Sequence, residues 1–319
     1  MSSHSPEPWL SVVIPSHRGE LWINSSLKSI AAEAVPGIEV LLIDSSPTRT
    51  TLDMAASFAD RLNLRIFERR DLDSWHVKTN YGVEIAASQH VCWLGVDDVW
   101  MPGRARAVRG WIEASPNSPL QLGASVIIDR NGRQLGHWRC PLPADIALAA
   151  DFVTERLLIQ NFVAAPAPVF RRDAWLDSGG LDSSLWYTAD WDIWLKLAAA
   201  GPVYYHDEAT IGFRIHGSSL TMTGSNDISD FKDQMRTVLE RHLPRLSGSA
   251  KPVEAAAVAS IAVNAALASA SAGEYRALGP AAWGVLRLGP AGAARYWKHS
   301  RLADRLWPRL RAKLTGSLE

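Results

Sequence analysis

The sequence predicts an α/β protein: a Rossmann-like, mostly parallel sheet first, then a mixed second half and a helical C-terminal region. Three observations predict it. Apolar, β-branched runs alternate with segments of helical spacing over residues 10–95, the pattern of parallel βαβ units whose strands are buried on both faces. The rhythm changes after residue 115, where Asn131-Gly132 gives a strong hairpin signal. From Pro252 onward the chain is rich in Ala.

Taken in order, Leu10–Pro15 (LSVVIP) reads as a buried strand and Glu20–Ala34 as a helix, from the spacing of Leu21, Ile23, Leu27, Ile30 and Ala31. Ile38–Ile43 is the second strand, followed by a polar loop over Asp44–Thr50 and a helix over Leu52–Leu62. Leu64–Glu68 is the third strand, Val77–Ser88 a helix and His90–Gly95 the fourth strand. Arg104–Ala114 then reads as a helix, with Pro102 near its first turn. Gln121–Asp129 and Gln134–Trp138 flank the hairpin turn, and Val169–Arg171 and Ala209–Ile215 are further strands. Asp190–Ala200 is a short helix that Gly201-Pro202 stops. Gly279-Pro280 and Gly289-Pro290 break the Ala-rich helix, and no fixed-period repeat is present. This predicts one domain over residues 9–245, in halves 9–115 and 116–245, and a basic helical region over 251–319.

The 319 residues are 47% hydrophobic and 21% charged, which excludes disordered, collagenous and disulfide-scaffold classes. Basic and acidic residues number 33 each, so no global field gathers nucleic acid. Residues 251–319 nevertheless carry a net +6, leaving −6 in residues 1–250. Two cysteines, Cys92 and Cys140, make no framework and suit a reducing compartment. Met1–Pro8 lacks an apolar leader core, so no signal peptide is expected and the chain is expected in the cytoplasm. Val253–Ala272 is mostly Ala, interrupted by Glu254, Ser260 and Asn264, and reads as a packed helix. The apolar helices after Pro252 can pack within the chain or between chains as an oligomer.

Ligands of open α/β sheets bind beyond the carboxyl ends of the strands. There the first strand ends in Pro15-Ser16-His17-Arg18, the second in Asp44 and the fourth in Gly95-Val96-Asp97-Asp98. Adjacent carboxylates suit a hard divalent cation, which could bridge a diphosphate. Asp44 could accept from a base ring N–H, and Arg18 could reach phosphate. Each has a plainer alternative: Asp97-Asp98 would cap the helix at Arg104, and Asp44 would open the Asp-Ser-Ser-Pro turn.

The motifs VVIPSHR, LLIDSS, KTNYGV, WLGVDDVWMPGR, GGLD, ADWDIWLKLAAAG and FRIHGSSLT, in that order over about residues 9–225, resemble the inverting GT-A glycosyltransferases of family 2, in particular the spore-coat polysaccharide type. The resemblance implies a GT-A fold and transfer of a sugar from a nucleotide-diphospho sugar, with UDP expected. It implies that Pro15, Ser16 and Arg18 line the nucleotide, that Asp44 reads the base and that Asn80 lies on the helix under the donor. It implies that Val96-Asp97-Asp98 holds ribose and metal (Mn²⁺ or Mg²⁺), with His216 completing the metal shell. It further implies that Asp190 is the general base and that Trp186 and Tyr187 face the sugar or a carbohydrate or lipid-linked acceptor. Three positions depart from the family pattern. Gly95 replaces the first acid of Asp-x-Asp, Ala189 replaces a Glu before the base, and Thr79 replaces an Arg, whose charge Lys78 could supply.

These carriers also have plain readings: Asp190 as a helix cap, His216 and Asp182 as turn residues, Trp186 and Tyr187 as packing. Two rival functions remain. A nucleotidyltransferase would need a Gly-rich basic loop after the first strand, where the chain has only Ser16-His17-Arg18-Gly19. A degenerate fold kept for binding or scaffolding would account for Gly95, Thr79 and Ala189.

In the tail, Lys298, Arg301, Arg305 and Arg309 recur at helical spacing, and Leu302, Leu306, Leu310 and Leu314 fall on another face, with Pro308 expected to kink or restart the helix. Such a segment either lies on an anionic membrane or packs its apolar face on the protein with its basic face in water.

Overall fold

The computed structural model describes residues 7–217, 219, 227–248 and 250–314. Met1–Pro6 of the leader reading, and Ser218, Leu220 and Thr221 of the last motif, lie outside the described residues. Nine strands form one sheet: β1 (Leu10–Ser16), β2 (Ile38–Asp44), β3 (Asn63–Glu68), β4 (His90–Trp93), β5 (Val99–Trp100), β6 (Leu120–Ile128), β7 (Gln134–Trp138), β8 (Val169–Arg171) and β9 (Val203–Arg214). Their order is β3-β2-β1-β4-β8-β6-β9-β5, with β7 paired to β6. The β3-β2-β1-β4 part is parallel throughout. The short β8 runs antiparallel to both β4 and β6, and so turns a parallel sheet into a mixed one.

Two cores flank the sheet because successive strand residues face opposite sides. Leu10, Val12, Ile14, Val40 and Leu42 pack under α1 (Ile23–Ala31), α2 (Thr50–Ala56) and α4 (Arg104–Ala114). Val13, Leu41 and Ile43 face the larger core, which includes residues of α3 (Trp75–Glu84), α5 (Ala150–Ile159), α6 (Arg172–Asp177), α7 (Ala189–Ala199) and α8 (Ile228–His242). Burying a Leu or Ile stabilises by about 1.5–3 kcal/mol, which is why the continuous apolar runs become the central strands. The predicted parallel half and hairpin are present with boundaries shifted by a few residues. The helix expected over Leu52–Leu62 stops at Ala56, and the strand expected at Ala209 begins already at Val203.

Four helices complete the chain: α9 (Lys251–Ser271), α10 (Leu278–Leu286), α11 (Gly289–Ser300) and α12 (Leu302–Leu314). Gly273, at φ +91°, ends α9: its N–H donates to the Ala270 carbonyl and that of Glu274 to the Ser269 carbonyl, a Schellman arrangement. The two Gly-Pro pairs open α10 and α11, so they mark helix starts. Pro308 lies inside α12, and the helix continues through it. By length and composition α9 could cross a bilayer, and half of its apolar stretch is buried within the fold.

The tail departs from the packed alternative, in which the apolar face lies inward and the basic face meets water. Arg305 and Arg309 point into the protein, where they line a cleft. Leu306, Trp307 and Leu310 face outward, with Trp307 63% and Leu310 50% exposed. The helix therefore turns Arg305 and Arg309 inward, while Arg311 and Lys313 are exposed.

Candidate active site

A cleft of about 360 Å³ opens beyond the carboxyl ends of β1 and β4. Its wall carries Pro15, Val96, Asp97, Asp98, Tyr187 and Asp190. Acids 93 positions apart thus meet one cavity, as the motif order implied.

Asp97 and Asp98 do not cap α4. The first amides of that helix, on Gly103 and Ala105, donate to the two carboxylate oxygens of Glu33, each at 2.8 Å. The acidic pair is held instead by Arg214. Its backbone N–H donates to Asp98 Oδ1 at 2.8 Å, and its Nε donates to the Asp97 carbonyl at 2.6 Å. His216 Nε2 lies 2.9 Å from Asp97 Oδ2, and Asp98 is buried. Burial, and next the neighbouring Asp97 charge, push the Asp98 carboxyl well above its ordinary range. A cation placed at the pair would relieve that repulsion.

Gly95 has a structural reason. A Cβ there would lie 2.6 Å from Asp98 Oδ2 and 2.8 Å from Asp97 Oδ1. The two carboxylates converge over the glycine and occupy the space where another side chain would stand. Asp97 Oδ1 and Asp98 Oδ2 therefore converge on one point, a donor set that fits a hard oxygen-seeking cation whose other positions come from phosphate and water. Among the described residues no three His, Cys, Asp or Glu side chains close a complete shell.

Asp190 sits in the first turn of α7, and Thr188, not Asp190, occupies the cap position. Its Oδ1 accepts from the Trp191 N–H at 2.7 Å and its Oδ2 from Asn161 Nδ2 at 3.2 Å. Burial pushes its carboxyl up to about 6, against the lowering effect of those two bonds. Two residues on, Asp192 faces away from the cleft, fully buried, and bonds Lys196, Arg241 and His242 at 2.8–2.9 Å. One helical turn thus sends one acid to the cleft and the other to a clamp on α8. Ala189 is fully buried, so a Glu in its place would have to bury a charge.

The remaining sequence-predicted residues divide. Ser16 ends β1, and its buried Oγ has no hydrogen-bond partner among the described residues. Arg18 is exposed, in a left-handed conformation (φ +53°), and its N–H donates to Ser46 Oγ at 2.7 Å. A non-Gly residue held there stores strain of about 1–3 kcal/mol, common at ligand clamps. Asp44 is buried and off the cleft wall: it accepts from Ser46 N–H and Ser46 Oγ, the Asp-initiated turn of the plainer reading. Lys78 is buried behind the same loops, where Nζ donates to the Ser16 carbonyl at 3.0 Å and to Ser45 Oγ at 2.7 Å. Burial lowers its affinity for the proton, more than nearby Asp44 raises it.

Asn80 lies on α3, but its amide faces the 175–181 loop. It donates to the Leu181 carbonyl and accepts from Leu181 N–H and Trp175 Nε1. In this structure it positions that loop and does not line the cleft. Thr79 Oγ1 donates to the Trp75 carbonyl within the helix. Trp186 is also turned away: its Nε1 donates to Asp230 Oδ2 at 2.5 Å, while Tyr187 lines the cleft edge-on to Phe231. Asp182 is a turn residue that also pairs with Arg241 at 3.0 Å.

Several residues that build the cleft had no role assigned from the sequence, although Trp93 and Arg104 stand in WLGVDDVWMPGR and Arg214 in FRIHGSSLT. Trp75 and Trp93 form an aromatic wall, with Trp93 stacked on Trp194 at 4.9 Å. Arg214 and Asn161 hold the acids. Arg104, fully buried, donates to the Pro166 and Ala167 carbonyls and fixes the cleft loop at 165–166.

Comparison with known proteins agrees with this architecture. Residues 11–150 match the family model described as Glycosyl transferase family 2. An uncharacterized glycosyltransferase of Rickettsia typhi is 23% identical over 243 residues, covering 73% of this chain and 72% of that protein. A PGL/p-HBAD biosynthesis glycosyltransferase of Mycobacterium bovis is 27% identical over 187 residues, covering 58% of this chain and 68% of its own length. Among solved structures, residues 1–349 of Staphylococcus aureus TarS in complex with UDP-GlcNAc superpose with a TM-score of 0.62 at 15% identity, covering 91% and 89% of the two chains. Against a longer TarS chain the score is 0.61, and this chain spans 43% of it. The mannosyltransferase PcManGT of Pyrobaculum calidifontis, in complex with GDP-Man and Mn²⁺, gives 0.53 at 16% identity, covering 96% and 87%. The fold is GT-A, with a helical C-terminal region added. Over residues 11–150, somewhat under half of its length, the chain is similar to glycosyl transferase family 2.

Proposed function

We propose that the chain is an inverting, divalent-cation-dependent glycosyltransferase that takes a sugar from a nucleotide-diphospho donor, with UDP as the nucleotide, in polysaccharide or glycoconjugate synthesis. The observation that carries the reading is the single cleft walled by both Asp97-Asp98 and Asp190. In this reading the β1 loop (Pro15, Ser16, Arg18) and Val96 receive the nucleotide, and Asp44 and Lys78 shape that loop from beneath. Asp97 and Asp98 would hold Mn²⁺ or Mg²⁺ with His216 beside them; when bound, the ion offsets charge on the departing diphosphate.

Asp190 takes the proton of the acceptor hydroxyl. The acceptor oxygen bonds to the anomeric carbon as the bond from that carbon to the diphosphate oxygen breaks, and the nucleoside diphosphate leaves with the bonding pair. One displacement inverts the centre, and no second carboxylate is required. Tyr187, Trp75 and Trp93 offer apolar faces to a sugar ring. The likeness to the spore-coat type rests on motif order alone.

The same reading places the chain in the cytoplasm, peripheral to the inner membrane face. Trp283, Trp297 and Trp307 are exposed among exposed Arg287, Arg295 and Lys298, a composition suited to an anionic lipid surface. Absence of co-sedimentation with anionic vesicles at low salt would remove the membrane contact. Product analysis tests the reaction itself: release of a nucleoside diphosphate from a UDP-sugar supports transfer, and release of pyrophosphate would favour the nucleotidyltransferase alternative.

A further inference from the structure

Arg305 and Arg309 are one helical turn apart on α12, and both line the cleft. Neither has a carboxylate at ion-pair distance among the described residues. Arg305 Nη2 donates to Asn264 Oδ1 at 3.1 Å, while its buried Nη1 has no hydrogen-bond partner there. Arg309 Nη1 donates to the Arg305 carbonyl at 2.7 Å, and its guanidinium stands 5.8 Å from the Trp138 ring centroid. Burial weakens both as proton holders, and the neighbouring Arg309 charge adds to it for Arg305, which falls to about 10. Two desolvated guanidinium groups that repel each other lack only an anion.

The pair stands on the Asp190 side of the cleft. Asn264, which Arg305 contacts, also donates to Gln160 Oε1, and the next residue, Asn161, donates to Asp190. Tyr187 lies near both arginines and Asp190. The donor loop at Ser16–Arg18 and the Asp97-Asp98 pair are held by other partners, Ser46 and Arg214.

We infer that Arg305 and Arg309 form an anion subsite that receives a phosphate group carried by the acceptor, beside the hydroxyl that Asp190 deprotonates. The subsite deepens the glycosyltransferase reading and rests on it for the word acceptor. Guanidinium forks recognise phosphate through paired N–H donors, and the unpaired Nη1 supplies one. Two sources present such a phosphate: a lipid-borne phosphate, which the outward Leu306, Trp307 and Leu310 would favour, and a water-soluble phosphoester.

The test uses the full chain and follows tryptophan fluorescence during titration with inorganic phosphate and with farnesyl monophosphate, without metal. Wild type is expected to bind both. The Arg305→Gln/Arg309→Gln variant is expected to lose at least tenfold in both affinities while keeping its affinity for UDP with Mn²⁺. Farnesyl phosphate binding tenfold tighter than inorganic phosphate assigns a lipid-borne source; equal affinities assign a soluble one. Arg305→Lys, which keeps charge but loses the fork, is expected to fall between, and guards against a variant that merely misfolds. No phosphate binding by wild type at millimolar concentration overturns the subsite, as does an unchanged affinity in the double variant. A parallel loss of UDP affinity also overturns it, because the arginines would then serve the donor. Failure of wild type to bind UDP with phosphate binding intact would refute the transferase reading and leave the anion site standing.

Discussion

Replacing Asp190 by Asn separates chemistry from folding, because the structure predicts opposite signs for the two. The carboxyl is pushed from its ordinary 3.8 to about 6 by burial. A shift of about two units corresponds to about 3 kcal/mol. The unfolded chain ionises near pH 4, whereas the folded chain holds the proton to about pH 6. Wild type therefore loses stability as pH rises between those values and keeps that deficit above them. Asp190→Asn carries no such deficit. At pH 8 it should be more stable than wild type by up to about 3 kcal/mol, and at pH 4 or below the gain should vanish. The gain is an upper value because one side of the amide must turn N–H groups toward Asn161 Nδ2 or the Trp191 N–H. Sugar transfer should fall by about 10²–10⁴-fold, the scale of a lost general base. Wild-type kcat/KM should climb with pH through about 6, as the base loses its proton. Paired denaturant titrations at pH 4 and 8 with a UDP-release assay read all three. Normal turnover by Asp190→Asn, or lower stability than wild type at pH 8, would refute the reasoning.

Further outcomes follow from the same geometry. Gly95→Ala drives a Cβ against the Asp97 and Asp98 carboxylates, so calorimetry should show Mn²⁺-dependent UDP binding weakened at least tenfold with the melting temperature little changed. Arg214→Ala removes hydrogen bonds to the Asp97, Asp129 and Arg130 carbonyls; at about 1.5–3 kcal/mol for each charged hydrogen bond, it should unfold several degrees earlier and bind UDP more weakly. Asn80→Ala breaks three bonds to the 175–181 loop and should cost about 2–3 kcal/mol in denaturant while UDP affinity stays within twofold. A large loss of UDP affinity without destabilisation would restore the direct donor contact for Asn80.

The parallel half of the fold was legible because strands buried on both faces must be almost continuously apolar, as Val12–Ile14 and Val40–Ile43 are. The start of β9 was not. His206, Asp207 and Glu208 interrupt it at a register shift against β6, so its first half carries no apolar alternation. The acids of the cleft were legible from order and spacing, whereas their supports were not. Arg214 stands in the motif FRIHGSSLT but 116 positions from the Asp98 it holds, so its role was not readable there, and Asn161 lies outside every motif. Asp44, Asn80 and Trp186 show the converse: the motif named the position, but their polar atoms are engaged by neighbouring turns and loops. For α12, periodicity separated two faces correctly but could not say which one met water. The basic face found a cleft, and that depends on where the preceding helices deliver the segment.

Calorimetric titration of the full chain with UDP in the presence of Mn²⁺ tests the shared cleft most directly, with Asp97→Asn and Asp190→Asn run alongside wild type. Wild type and Asp190→Asn should bind with comparable heats that vanish when Mn²⁺ is omitted, and Asp97→Asn should bind at least tenfold more weakly. No heat from wild type with UDP or GDP in Mn²⁺, or full binding by Asp97→Asn, would contradict the account.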